Sequence, residues 1–126
     1  MPAEPLGILL LAEDQARAHY GFVLAAGAAA LGRTVVVFAA GRGVHALAAD
    51  PCALADFARD GRIRARGVAG LAEVRAAACE IGVRLIACSA ALQAEAMAPA
   101  DLLAGVEIGG VVGFLETVGR GQIVCL

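Results

Sequence analysis

Residues Leu71–Ala87 read LAEVRAAACEIGVRLIA: an alanine-rich helical stretch to Ile81, a glycine at 82, and an apolar strand over Val83–Ala87. The same cadence occurs twice more. Ala16–Leu31 leads through Gly32 into Thr34–Phe38, and Val111–Val118 leads through Gly119 into Gln122–Leu126. Glycine suits the left-handed residue just past a helix end because it has no Cβ to clash. Strands that are continuous apolar runs, with no alternation, are buried on both faces, as in a parallel sheet covered by helices.

Further elements complete the pattern. Leu6–Leu11 supplies a first strand, and Asp14 is placed to cap the helix after it. Asp50-Pro51 reads as an N-cap with proline in the first turn, opening a helix that stops near Gly61. Val106–Ile108 gives a short fourth strand. The expected architecture is a three-layer α/β domain over residues 1–126, flavodoxin-like or Rossmann-like, with about five parallel strands and helices on both faces.

Of the 126 residues, 60% are hydrophobic and 17% charged, against about 25% charged in an ordinary soluble domain. The mean hydropathy of +0.79 says the same, and it excludes intrinsic disorder. The longest uncharged stretch, Ala18–Gly32, contains His19, Tyr20 and three glycines. It falls short of the roughly 20 apolar residues of a membrane span and reads as a buried core helix. Met1–Pro5 carries no basic region of a secretory leader, so the expected location is cytoplasmic, with reduced thiols and no membrane partner. The apolar excess leads to the expectation of a homo-oligomer.

Net charge is −2, and every basic residue is an arginine. Nothing here favours nucleic acid. Without lysine there is no Walker P-loop. The cysteines at 52, 79, 88 and 125 form no CxxC pair, and their spacing matches no zinc site. No metal and no cofactor are expected.

In open parallel sheets, chemistry sits beyond the carboxyl ends of the strands, where the connections change direction. That rule selects Glu13 and Asp14, Ala40–His45, Cys88 and Ser89, and Gly109 and Gly110. Cys88 stands first among them. It ends one strand and precedes a short helix over Ala90–Met97, where a helix start favours thiolate. The alternative is a buried cysteine acting as a small hydrophobe. Cys52, Cys79 and Cys125 read as core or incidental.

Gly41-Arg42-Gly43-Val44-His45-Ala46 fits GxGxxA, but it follows the second strand and lacks the acidic partner of a dinucleotide site, so a plain glycine-rich loop is the better reading. Gly41, Gly43 and His45 remain rim candidates for binding. Arg62, Arg64 and Arg66 read as a solvated edge or loop face. Glu13-Asp14 is similar to the acidic pair of two-component receivers, yet Cys88 holds the place of their phosphoacceptor and their lysine is missing.

The segment Gly82–Leu92, GVRLIACSAAL, resembles the cysteine region of the DsrE/DsrF-like proteins, which include the TusD-type sulfur-relay subunits. Asp101–Val111, DLLAGVEIGGV, is similar to a second block of that family, and Phe114-Leu115-Glu116 continues it. Leu24–Gly32 and Val35–Phe38 resemble its first helix and second strand. The chain departs from the family at Ala96, where glycine is frequent, and in the loop Ala39–Arg42. The resemblance implies a five-stranded YchN-like fold, assembly as trimers or hexamers, and a cysteine, matched by Cys88, that carries sulfane sulfur as a persulfide between donor and acceptor proteins. Exchange of that kind needs one reachable, ionisable sulfur and no metal or acid–base dyad. Two other readings stay open: an oligomeric binding module for a small anion or protein at the strand-end rim, and a redox thiol with a resolving partner.

Overall fold

A computed structural model describes residues 4–126; the leader reading of Met1–Pro5 falls in part on residues 1–3, outside the described ones. Five parallel strands, β1 (Leu6–Leu10), β2 (Val35–Ala39), β3 (Arg84–Cys88), β4 (Glu107–Gly109) and β5 (Gln122–Cys125), form one sheet in the order β4-β3-β2-β1-β5. The helices are α1 (Gln15–Ala30), α2 (Ala58–Ala65), α3 (Leu71–Glu80), α4 (Ser89–Ala94) and α5 (Val111–Val118), with a 3₁₀ segment over Gly41–Leu47.

The glycine cadence has a definite geometry. After α1, Gly32 has φ +89°, its N–H bonds Ala29 O, and the Arg33 N–H reaches back to Ala28 O. After α3, Gly82 has φ +92°, with Gly82 N–H on Cys79 O and Val83 N–H on Ala78 O. Both are paired C-terminal caps that close the helix and turn the chain into the next strand. The helix α4 ends the same way, with Ala96 N–H on Gln93 O at 3.2 Å and Met97 N–H on Leu92 O at 2.9 Å. There, however, the left-handed residue is Ala96, φ +54°. A side chain in that region costs roughly 1–2 kcal/mol. Ala96→Gly is therefore expected to stabilise the fold by about 0.5–1 kcal/mol, read as a rise in Tm of a few degrees; a lower Tm would refute the assignment of strain.

Strand alternation sorts the core into two faces. Leu6, Ile8, Leu10, Val35, Val37, Ala39, Leu85 and Ala87 pack with α1, α3 and α4 in the larger apolar cluster. Val36, Phe38 and Ile86 pack with Phe114 and Val118 of α5 in the smaller one. Helices thus lie on both faces, but among the described residues α5 alone covers the second. Its Phe114 ring stacks on Phe38, centroids 5.0 Å apart and 15° from parallel. Gly7 lies beneath it: a Cβ there would sit 2.4 Å from Val118 Cγ2 and 2.9 Å from Phe114 Cζ.

Two expectations need correction. Asp50 does not open a helix. Its Oδ1 accepts from Cys52 N–H in a single turn, after which Ala55 N–H bonds Glu13 O and Ala55 O accepts from Gln15 N–H, holding the chain extended across the exit of β1. The helix of this region is α2, which runs through Gly61 to Ala65; one glycine weakens a helix but does not end it. Arg62 and Arg64 accordingly lie on a solvated helix face, paired with Asp56 and Glu73. The second correction is α1. Only Gln15, Ala18, His19, Gly21, Phe22, Ala25 and Ala28 are buried, while Tyr20 is 61% and Leu31 84% exposed. It is a core helix along one stripe and open along another.

Buried polar groups hold the helical layer to the loops. Asp60 Oδ1 accepts from Gln15 Nε2 and from Leu71 N–H, both at 2.8 Å, the latter satisfying the first turn of α3. His19 Nε2 lies 2.9 Å from Ala69 O. On the β4 edge, Arg84 and Glu107 form a two-bond ion pair, which holds the Glu107 carboxyl below the usual range.

Candidate functional site at the end of the third strand

Cys88 is the last residue of β3 and the N-cap of α4, with extended backbone (φ −67°, ψ 122°) and no side-chain cap hydrogen bond. It is half-buried and touches members of both apolar clusters. Its register partner on β4 is Gly109. From here the connections diverge: β3 continues into α4, whose Ala91 and Leu92 belong to the larger cluster, whereas β4 continues into α5 on the opposite face. Adjacent parallel strands whose connections leave toward opposite faces open a crevice at their carboxyl ends, the usual ligand position in such sheets. Cys88, Ser89, Gly109 and Gly110 converge on that crevice. Ser89 and Gly110 are exposed and Gly109 is half-buried.

The helix expected over Ala90–Met97 is shorter, Ser89–Ala94, because Ala96 closes it. It has six residues, and no side-chain cap hydrogen bond joins Cys88 to its first turn. What the crevice offers instead is access and apolar surroundings. Ile108 of β4 and Val111, Val112 and Leu115 of α5 are each between 46% and 66% exposed. A cleft of about 390 Å³ is lined by Ser89, Leu92, Gln93, Met97, Pro99 and Ile108, with Cys88 not among its lining residues.

The remaining rim candidates have structural partners. Asp14 caps α1, accepting from Arg17 N–H at 3.1 Å. Gly41 takes φ +54° at the start of the 3₁₀ segment. Gly43 lies against β1, where a Cβ would stand 2.2 Å from Leu10 O. The GxGxxA pattern is thus a packing device for the turn after β2. His45 Nε2 meets Glu95 Oε1 at 2.8 Å, tying that turn to the C-cap of the helix that Cys88 begins. Asp14 lies at the exit of β1, and Gly41 and Gly43 at the exit of β2, the neighbour of β3.

Sequence reasoning missed Glu95 and Arg75. Arg75 is 3% exposed and donates to Ala46 O and Ala48 O at 2.7 Å each and to Ala49 O at 3.4 Å. Burial pushes its guanidinium below the ordinary value, with the neighbouring Cys79 opposing. The signal was present, since Arg75 shares a helical stripe with Leu71 and Ala78 and must be buried with them.

Cys52, Cys79 and Cys125 are all exposed, so of the core-or-incidental reading the core half falls and the incidental half stays. Cys125 pairs with Leu9 on β1, and Leu9, Phe38 and Ile86 lie level across β1, β2 and β3. Three strand spacings, about 14 Å, separate it from β3, where a disulfide needs Cα atoms within about 7 Å. Cys79 lies in the last turn of α3, toward the opposite end of β3. Neither can resolve an oxidised Cys88 within this fold. Among the described residues no group of three or more His, Cys, Asp or Glu could hold a metal ion, and no helix is long and apolar enough to cross a membrane.

Among solved structures, the ychN protein of E. coli is similar at a TM-score of 0.71 and 14% identity, covering 98% of this chain and 99% of that one. A protein of unknown function from Methanobacterium thermoautotrophicum is similar at a TM-score of 0.59 and 22% identity, with the same two coverages. At these identities the likeness concerns the fold, which is the YchN-like one. No curated protein matches the chain. The family model described as "DsrE/DsrF-like family" matches residues 6–124, nearly the whole chain, and the chain belongs to that family.

Proposed function

We propose that this chain is a sulfur carrier, with Cys88 as the acceptor of sulfane sulfur. The Cys88 thiolate attacks the terminal sulfur of a donor protein's persulfide. A new sulfur–sulfur bond forms on Cys88, the donor's own sulfur–sulfur bond breaks, and the donor cysteine leaves as a thiolate. A second exchange of the same kind passes the sulfur to an acceptor protein. Neither step changes the overall oxidation level, and neither needs a metal or a proton relay.

The observation that supports this reading is the position of Cys88 at the crevice between β3 and β4, half-buried and opposite a glycine, in a chain of this family. Gly109 sets no side chain of its own beside the sulfur; the nearest neighbour a Cβ there would meet is Ile86 Cγ2, at 3.3 Å. The exposed apolar residues around it suit protein docking; we assign that face to a homo-trimer or hexamer and to the donor and acceptor. We place the chain in the cytoplasm, where thiols stay reduced and so remain free for this exchange.

Incubation with a persulfide donor followed by peptide mass spectrometry should place one added sulfur on the Cys88 peptide, and Cys88→Ser should abolish transfer. Uptake only at Cys52, Cys79 or Cys125, or no uptake at all, would overturn the proposal.

A further inference from the structure

We propose that the groove between α1 and β5 binds a medium-chain aliphatic carboxylate. This reading is independent of Cys88. Tyr20, Leu24, Gly27 and Leu31 recur at i, i+4, i+7 and i+11 along α1, a second apolar stripe beside the one that faces the core. They line one wall of a groove of about 460 Å³ whose other wall comes from the edge strand β5, a volume within the range of small-molecule sites. At one end stands Arg33.

Three observations select the occupant. First, the lining is apolar along the helix and polar only at the end formed by Arg33 and Gln122, apart from the Tyr20 hydroxyl at the far rim. Second, Arg33 has no carboxylate partner among the described residues. Its Nε donates to Glu4 O at 3.2 Å and its Nη1 to Gln122 Oε1 at 3.4 Å. With the Gln122 oxygen engaged, its amide N–H groups and Arg33 Nη2 remain as donors for one planar, singly charged head group. Third, Gly27 is exposed in the body of α1, and a Cβ there would meet nothing within 4 Å. Neither backbone geometry nor packing calls for glycine at that position, and in a helix it is unfavourable against alanine. Its effect is to deepen the groove midway. From Tyr20 to Leu31 the helix rises about 16 Å, and an extended twelve-carbon chain, about 13 Å long at about 1.2 Å per bond, fits within it.

Titration with laurate, below its micelle-forming concentration, should give one molecule bound per chain. Arg33→Gln should weaken laurate binding about tenfold and leave 1-dodecanol unaffected. Gly27→Leu should abolish binding of both while raising Tm, since leucine is the better helix former and its Cβ would meet nothing within 4 Å. Cys88→Ser should change nothing, which separates this proposal from the relay. No laurate bound by the unmodified chain, or binding that survives Gly27→Leu, would overturn it, as would equal loss of laurate and dodecanol in Arg33→Gln. A dimer of the unmodified chain that Gly27→Leu dissociates, with no laurate bound, would assign the groove to a second copy instead and overturn it as well.

Discussion

Arg75→Leu is expected to lower the unfolding free energy by about 3 kcal/mol. The side chain is almost wholly buried in α3 and carries the carbonyls of Ala46 and Ala48 on short bonds, with Ala49 on a longer one. Removing it leaves two buried carbonyl oxygens without a donor, each at a cost of about 1–3 kcal/mol. Leucine returns part of this as apolar contact. Arg75→Lys should recover only a fraction, because an ammonium lacks the planar fork that serves both carbonyls from one nitrogen and reaches a third. Urea unfolding measures the loss, and a change below about 1 kcal/mol would show that water replaces the guanidinium. His45 belongs to the same 3₁₀ segment as Ala46, so the turn that meets the end of α4 should loosen with it.

Phe114→Ala should cost about 3–5 kcal/mol, the range for a buried phenylalanine that leaves a cavity. Phe114 is 2% exposed and stacks on Phe38, an arrangement that contributes a further 0.5–1.5 kcal/mol or so. Among the described residues no other helix covers this face of the sheet, which leaves only the strand side chains Val36, Phe38 and Ile86 and Val118 of α5 to relax toward the gap. Binding of a hydrophobic dye should rise in the variant. Leu115→Ala, one residue along and 50% exposed, is the control and should lose well under 1 kcal/mol. Equal losses for the two would mean that α5 is held by something other than its aromatic anchor.

The architecture was legible where backbone chemistry leaves a sequence trace. Gly32 and Gly82 marked helix ends because only glycine adopts their geometry without strain. The cap of α4 follows the same rule with alanine, so that helix end left no trace and its length was overestimated. Asp50-Pro51 misled because the local signal for a helix start was overruled by strand-like bonds from Ala55 to Glu13 and Gln15, which no nearby residue announces. At the site, position after a strand picked out Cys88, and the β4-β3-β2-β1-β5 order explains why Gly109 and Gly110 join it. Asp14, Gly41 and Gly43 share the same rim in sequence terms but are used for capping and packing. Glu95 and Arg75 act across the fold on backbone or a distant histidine, contacts between residues 26 to 50 positions apart.

The placement of β5 beside β1 sets an order of assembly. Pairing of β1 with β2 joins residues about thirty apart, whereas pairing of β1 with β5 joins Leu6 to Gln122 across nearly the whole chain. Closing so long a loop slows formation of that contact. During synthesis β1 therefore waits with one edge bare until residues 122–125 have been made and are free to pair with it, and a helper that shields nascent chains would find its target there.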